Sequence, residues 1–423
     1  MRQKQILAIF IYALAALFLL YEMALQVSPS VMTRELMHDF HINALVLGVM
    51  VSFYFYSYTL MQIPVGILFD RFNARVLITL AVLICSLGSF FFGMTEHVIY
   101  AGLGRFLMGI GSAFAFVGVL VVAARWFSGK YFAFLVGLAQ LLAAVGALMG
   151  ELPLAAMLGA FTWRVVIMIL GGVGILLTLL CLLVIRDSPQ GERHIPQRHH
   201  LFQELKEIFK SSQTWWIALY AFCGWGPVAV FAALWGVPYL RVRYDISTTT
   251  AALAMAMVWV GVGGMSPLLG YLSDRLRKRC ILLRFCSLTG LLCSLAVMYL
   301  PISFGVVFFL LLGIGMAAGG QILTFALVKD NNRSTTTGTA VGLNNMAVVA
   351  GGALFQPLVG FILHRLWEGG RDGSGVPVYT VADFHIGLLI VPLCFLVGLI
   401  TSSFFIKETC CRPRFDPLCD DLK

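Results

Sequence analysis

Three charged side chains stand inside apolar runs of membrane length: Glu22, Arg105 and Glu151. A carboxylate in such a place can load and release a proton, because burial favours the neutral acid while a nearby Arg favours the charged one. An Arg deep in a bilayer costs at least ~2.5 kcal/mol unless it faces water or an acid. The three fall at similar depth in their runs, so the chemistry they offer is a protonatable acid tuned by Arg105. The plainer reading of either acid is a side chain that reaches back to the lipid headgroups. These three are the proton-coupling candidates.

Uncharged groups could line a substrate cavity. Tyr54 and Tyr58 share a face of one run, and Trp225 and Trp259 lie deep in two others. Gln140 precedes Glu151 by 11 residues, three helical turns, and so points the same way. Gln321, Asn344, Asn345 and Gln356 are amides within second-half runs. Interfacial belts account for most Trp and Tyr in membrane proteins, and helix–helix hydrogen bonding suits an amide as well as substrate contact does. As substrate-binding candidates, the nine suggest contact from both halves, with the acids confined to the first.

A duplication positions these residues. Gly66, Asp70, Arg71 and Arg75 spell G-x-x-x-D-R-x-x-x-R, and Gly270, Asp274, Arg275 and Arg279 repeat it 204 residues later, each copy between two apolar runs. Arg105-x-x-x-Gly109-x-Gly111 meets Phe309-x-x-x-Gly313-x-Gly315 at the same offset of 204. Gly137, Gly146 and Glu151 answer Gly342, Gly351 and Gln356 at 205, and Ile185–Ser188 answers Ile406–Thr409 at 221. The late rise places an insertion around 367–380. A single Asp at a helix end reads as a cap. Two copies beside Arg point to a latch, in which carboxylate and arginines pair across the halves to hold the inner gate shut. These eight loop residues are the gating candidates.

Composition sets the class. The 423 residues are 60% hydrophobic and 12% charged, against about 25% charged in globular domains. A bilayer-spanning helix needs ~20 apolar residues, and the runs are continuous rather than alternating, which disfavours a β-barrel. The fold class is therefore an all-α membrane protein, with twelve transmembrane helices in two pseudo-symmetric six-helix bundles. Residues 1–186 form the first bundle and 213–423 the second with a short tail. Residues 187–212 form a linker, with an amphipathic helix over Leu201–Lys210 lying on the membrane face. The basic start and apolar first run look like a signal peptide, but the run holds Glu22 and many spans follow.

A net charge of +9 admits an anionic partner. Topology explains it more simply, since cytoplasmic loops collect Lys and Arg. With both termini cytoplasmic, only Arg34, Arg164, Arg241, Arg243, Arg365 and Arg371 of the 29 basic residues fall outside, and Arg105 falls within a span. The partners expected are the lipid bilayer, protons and a small-molecule substrate, with no nucleic acid. The ten cysteines lie in apolar spans or near basic segments and form no disulfide framework. Cys410, Cys411 and Cys419 read as unmodified tail thiols, and His194, His199 and His200 as a solvated tract. No metal and no cofactor is expected, and neither a Walker loop nor a G-x-S-x-G elbow suggests an enzyme.

With the loop pair, Arg105-Gly109-Gly111 and the twelve-span duplication in hand, the chain resembles the major facilitator superfamily. It departs from that family's signature loop at Asn73 and Ala74. Gly137, Gly146 and Gly150 fit the family's antiporter mark in span 5, but Glu151 stands where Pro is expected. Tyr21–Ser30 resembles the first span of transporters related to intraphagosomal amino-acid permeases. Tyr54–Tyr58 followed by Gln62-Ile-Pro64 is similar to those and to organic-anion symporters. In this family spans 1, 4 and 5, which carry Glu22, Arg105 and Glu151, share one bundle.

The resemblance implies a monomeric secondary active transporter of the bacterial inner membrane. It would move a small polar solute, an amino acid or short peptide, by proton-coupled alternating access, with Glu22 favoured as the coupling acid. Export of an organic anion, siderophore or drug is the alternative. A receptor that moves nothing would call for a large output domain, and 16 residues follow Lys407.

Overall fold

In lipid a backbone must satisfy its own hydrogen bonds, and helices do so within one segment. Among its described residues the computed structural model has twelve helices long and apolar enough to cross a membrane. Spans 1–6 are Gln5–Val31, Ala44–Phe69, Ala74–Met94, Val98–Trp126, Phe134–Met157 and Trp163–Val184. Spans 7–12 are Ser212–Tyr244, Thr248–Leu276, Cys280–Tyr299, Phe304–Asn331, Thr339–Leu366 and Val381–Phe405. The structure describes residues 2–127, 132–187, 208–332 and 337–411, apart from the side chains of 2–4, 70, 132–133 and 337–338. The expected linker helix, the three linker histidines and Cys419 lie outside those residues, save for a last helical turn at 208–210.

The duplication is visible in the packing. Span 1 packs on 5, 2 on 4, 3 on 4 and 3 on 6; in the second half 7 packs on 11, 8 on 10, 9 on 10 and 9 on 12. Each pair is the image of its counterpart. Short loops are fixed by caps: Asn43, Ser211 and Ser247 each accept from the backbone N–H three residues on, and Thr380 with Asp383 forms a capping box. Glycine permits the tightest crossings, since a methyl group at Gly109 would collide with the Tyr54 carbonyl and one at Gly315 with that of Val258.

The repeat loops show the same symmetry at atomic detail. The backbone N–H of Arg75 donates to Asp187 Oδ1 over 3.0 Å, and that of Arg279 to Glu408 Oε2 over 2.9 Å. In each half the acid that leaves the sixth helix thus caps the start of the third. Burial opposes the charge on Glu408, but the N–H groups of Arg279, Cys280, Cys410 and Thr409 outweigh it and lower its pKa.

With twelve crossings the two ends of the chain lie on one face, the terminal face; the opposite one is the far face. The halves meet along two seams, span 2 against 11 and span 5 against 8.

Candidate functional site

Between the halves lies a cavity of ≈ 690 Å³, the open solvent at its mouth included. That figure is an upper bound. Its polar wall comes from Glu22, Gln26, Tyr58 and Gln140 in the first half and from Trp225, Trp259, Gln321 and Asn345 in the second. Six of the nine substrate-binding candidates therefore face it. The other three do not. Tyr54 lies under the Arg105 guanidinium, 4.7 Å from ring centroid to Cζ; Asn344 donates to Thr324 Oγ1; Gln356 donates to the Ala229 carbonyl. The apolar walls Phe55, Phe116 and Phe325 were not singled out in the sequence, where nothing distinguishes them from other span phenylalanines.

Arg105 pairs with neither acid. It is fully buried, and its Nη1 donates to the Leu25 carbonyl over 2.8 Å and its Nη2 to that of Gln26 over 3.3 Å. The reason lies in span 1, whose α-helix ends at Val27 and continues as a 3-10 turn over Ser28–Val31. Pro29 has no N–H to give Leu25, so the guanidinium and the Ser28 hydroxyl serve that carbonyl instead. The triad expected from depth is thus not an ion pair: Arg105 braces the broken end of span 1.

The two acids go separate ways. Glu22, 1% exposed, stands in the cavity wall beside Tyr54 and Tyr58, and its Oε2 has no hydrogen-bond partner. Glu151 turns from the cavity across the 5–8 seam, where the Trp259 indole N–H donates to its Oε1 over 2.9 Å. Gln356, the repeat counterpart of Glu151, does the equivalent work in the 2–11 seam. Its Oε1 accepts from Ser52 over 3.4 Å, and its carbonyl from Trp235, at the end of a fully buried π-helical stretch over Val228–Trp235. Each seam is therefore stitched at the same pseudo-symmetric position, once by an ionisable group and once by an amide.

Both seams are closed at the far face and parted at the terminal face. Gly48 of span 2 and Gly360 of span 11 pack so closely against the other helix that a methyl at Gly48 would lie 2.7 Å from the Gln356 carbonyl. Gly66 and Gly342 each lie 18 residues away on the same helices, five turns, hence on the same faces. A methyl group there would meet nothing within 4 Å. In the other seam Gly263 touches Ala144, while Gly270 and Gly137, each seven residues toward the terminal face, are likewise bare.

The far face carries contacts that sequence reasoning missed. Arg34 pairs with Asp372 over 2.7 Å, and the Tyr379 hydroxyl accepts from the Ala44 N–H over 2.9 Å. Both second-half partners come from the 367–380 insertion, a tight turn with Arg371 bridged to Pro377. The offset change was the one signal that could have pointed to them.

The gating candidates divide. The side chain of Asp70 lies outside the described residues, and Arg71, Asp274 and Arg275 are exposed at the terminal face. Arg75 and Arg279 bind within their own halves, to the Leu182 carbonyl and to Asp330 over 3.1 Å. Among the described residues no group of three His, Cys, Asp or Glu could hold a metal.

Residues 8–356 match the family model of the Major Facilitator Superfamily. The chain belongs to that family. Among curated superfamily relatives, it is 24% identical over 413 residues to the probable L-galactonate transporter of Escherichia coli (strain K12), covering 92% of this chain and 87% of that protein. It is 24% identical over 400 residues to the lysosomal dipeptide transporter MFSD1 of Bos taurus, covering 88% and 81%. Its alignment with the uncharacterized transporter YybO of Bacillus subtilis (strain 168), 26% identical, takes in 56% of this chain and 58% of that one. The solved structure of a bacterial homolog of the human lysosomal transporter Spinster, inward-facing and unoccupied, superposes with a TM-score of 0.74 at 17% identity, over 97% and 99% of the two chains. At that identity the likeness is one of fold.

Proposed function

We propose that this superfamily member is a proton-coupled secondary transporter of a small polar solute, an amino acid or short peptide, working by alternating access as a monomer. The observation that carries the reading is the pair of seams: each is closed at one end and, five or two turns along the same helix faces, presents bare glycines at the other. Such surfaces suit a second closure, in which the far face parts as the terminal face shuts. The terminal face would be cytoplasmic, since the basic repeat loops lie on it, and the structure would then represent the inward-open state of a bacterial inner-membrane protein.

Coupling would rest on the two buried carboxylates. Glu22 stands where a solute can reach it, and Glu151 where motion of the halves can. Arg105 would act by fixing span 1, and the loop residues Asp70, Arg71, Asp274 and Arg275 by latching the terminal face once it closes. The name of the bovine relative supports a peptide-like cargo. Organic-anion transport has support in the galactonate relative, but no Lys or Arg lines the described cavity. In proteoliposomes an inward proton gradient should drive accumulation of an amino acid or dipeptide, and Glu22→Gln or Glu151→Gln should abolish accumulation, with exchange spared in Glu151→Gln. If both variants still move protons with substrate, coupling lies elsewhere.

A further inference from the structure

The cavity offers acceptors and lacks a cation. Glu22 is buried with Oε2 unpartnered, and Gln321, 5% exposed, leaves Oε1 unpartnered as its amide stands. Two donors of the wall are engaged elsewhere, the Trp259 indole with Glu151 and the Asn345 amide with Gln62 Oε1 over 2.5 Å, and the groups beside Glu22 are the neutral hydroxyls of Tyr54 and Tyr58. Arg105, the nearest buried cation, is committed to the Leu25 and Gln26 carbonyls and the Tyr54 ring. No Lys, Arg or His lines the described wall. A carboxylate oxygen in a low-dielectric wall is costly until a donor or cation meets it.

Aromatic surface surrounds the same space. Trp225 and Trp259 meet edge to face with centroids 6.3 Å apart, and both line the cavity with Glu22 and Tyr58. Ring faces attract cations and accept no proton from a neutral hydroxyl with comparable strength. An alkylammonium brings positive charge and three N–H donors with no acceptor, which is the complement of this wall.

Resting on the transport reading above, we propose that the cavity recognises the protonated amine of its substrate. Glu22 takes the ammonium, Trp225 and Trp259 enclose it, and Gln321 accepts a further N–H. It follows that a substrate carboxylate finds no cationic partner here. Blocking the carboxyl of a peptide should therefore be harmless, and blocking its amine should not.

The test is binding of alanyl-alanine amide, alanyl-alanine, N-acetyl-alanyl-alanine, tetramethylammonium and galactonate to the purified full chain, read by thermal shift and tryptophan fluorescence. The amide should bind at least roughly tenfold more tightly than the N-acetyl form, the loss expected when a charged hydrogen bond goes. Glu22→Gln should erase that difference, and Glu22→Asp, which keeps the charge, should retain part of it. If Glu22→Gln does not fold, tetramethylammonium should still compete with the amide on the unaltered protein. Tighter binding of galactonate or the N-acetyl form, an unchanged preference in Glu22→Gln, or no binding of any amine at millimolar concentration would overturn the proposal. Counterflow separates it from the transport reading. Amine binding at Glu22 without counterflow sinks transport alone; galactonate counterflow without amine binding leaves transport standing and sinks this proposal together with the amino-acid or peptide cargo.

Discussion

Replacing Trp259 with Phe removes one donor from the 5–8 seam and little else. In the native arrangement the indole N–H meets Glu151 Oε1 at 2.9 Å, and Glu151 is fully buried with Oε2 already unpartnered. Without the indole, both oxygens are stranded. A buried acceptor deprived of its donor costs ~1–3 kcal/mol. The contact needs spans 5 and 8 together, so we predict that this cost falls on the state closed at the far face. One kcal/mol is about fivefold in an equilibrium and three is over a hundredfold, so the far-face-open population should rise by at least about fivefold. Spin labels on cysteines at Glu35 and Gly373, in a version lacking the ten native cysteines, would report the two populations as distance distributions. Trp225→Phe is the control: it trims the same volume from the cavity wall, and Trp225 makes no hydrogen bond to Glu151. Populations within twofold of the parent in Trp259→Phe, or an equal shift in the control, would refute the reasoning.

The same labels test the seams. Gly48→Leu should open the far face, because its side chain would strike the Gln356 carbonyl, whereas Gly66→Leu should fold normally yet hold the terminal face open and slow transport. Arg279→Met should lower stability by about 3 kcal/mol, since the buried Asp330 charge would keep only the Thr409 hydroxyl; adding Asp330→Asn should recover much of the loss in a thermal unfolding assay. Hydrogen bonding from Ser374, and then from Arg34, holds the Asp372 carboxyl well below the usual carboxylate range. A depressed pKa contributes stability above the unfolded value and loses it only as pH falls through the folded one. Far-face closure by the Arg34–Asp372 pair should therefore be flat from about pH 5 to 8, and a midpoint in that window that vanishes in Asp372→Asn would contradict it.

The sequence by itself determined the spans and their duplication, because span length answers to a local demand: every backbone group in lipid must be satisfied within its own helix. It also placed Arg75 and Arg279 in equivalent positions, and the equivalent caps from Asp187 and Glu408 follow from that. The buried ionisable residues were legible too, since a charge in an apolar run stands out. Their partners were not. Depth along a span suggested that Arg105 meets Glu22 and Glu151, but depth does not say which way a side chain turns, and Pro29 had left the Leu25 carbonyl in want of a donor. Trp259 reached Glu151, and Asp372 reached Arg34, across 108 and 338 residues of sequence. Contacts of that kind depend on which helix faces oppose one another once both halves have packed, and only the tertiary structure decides that.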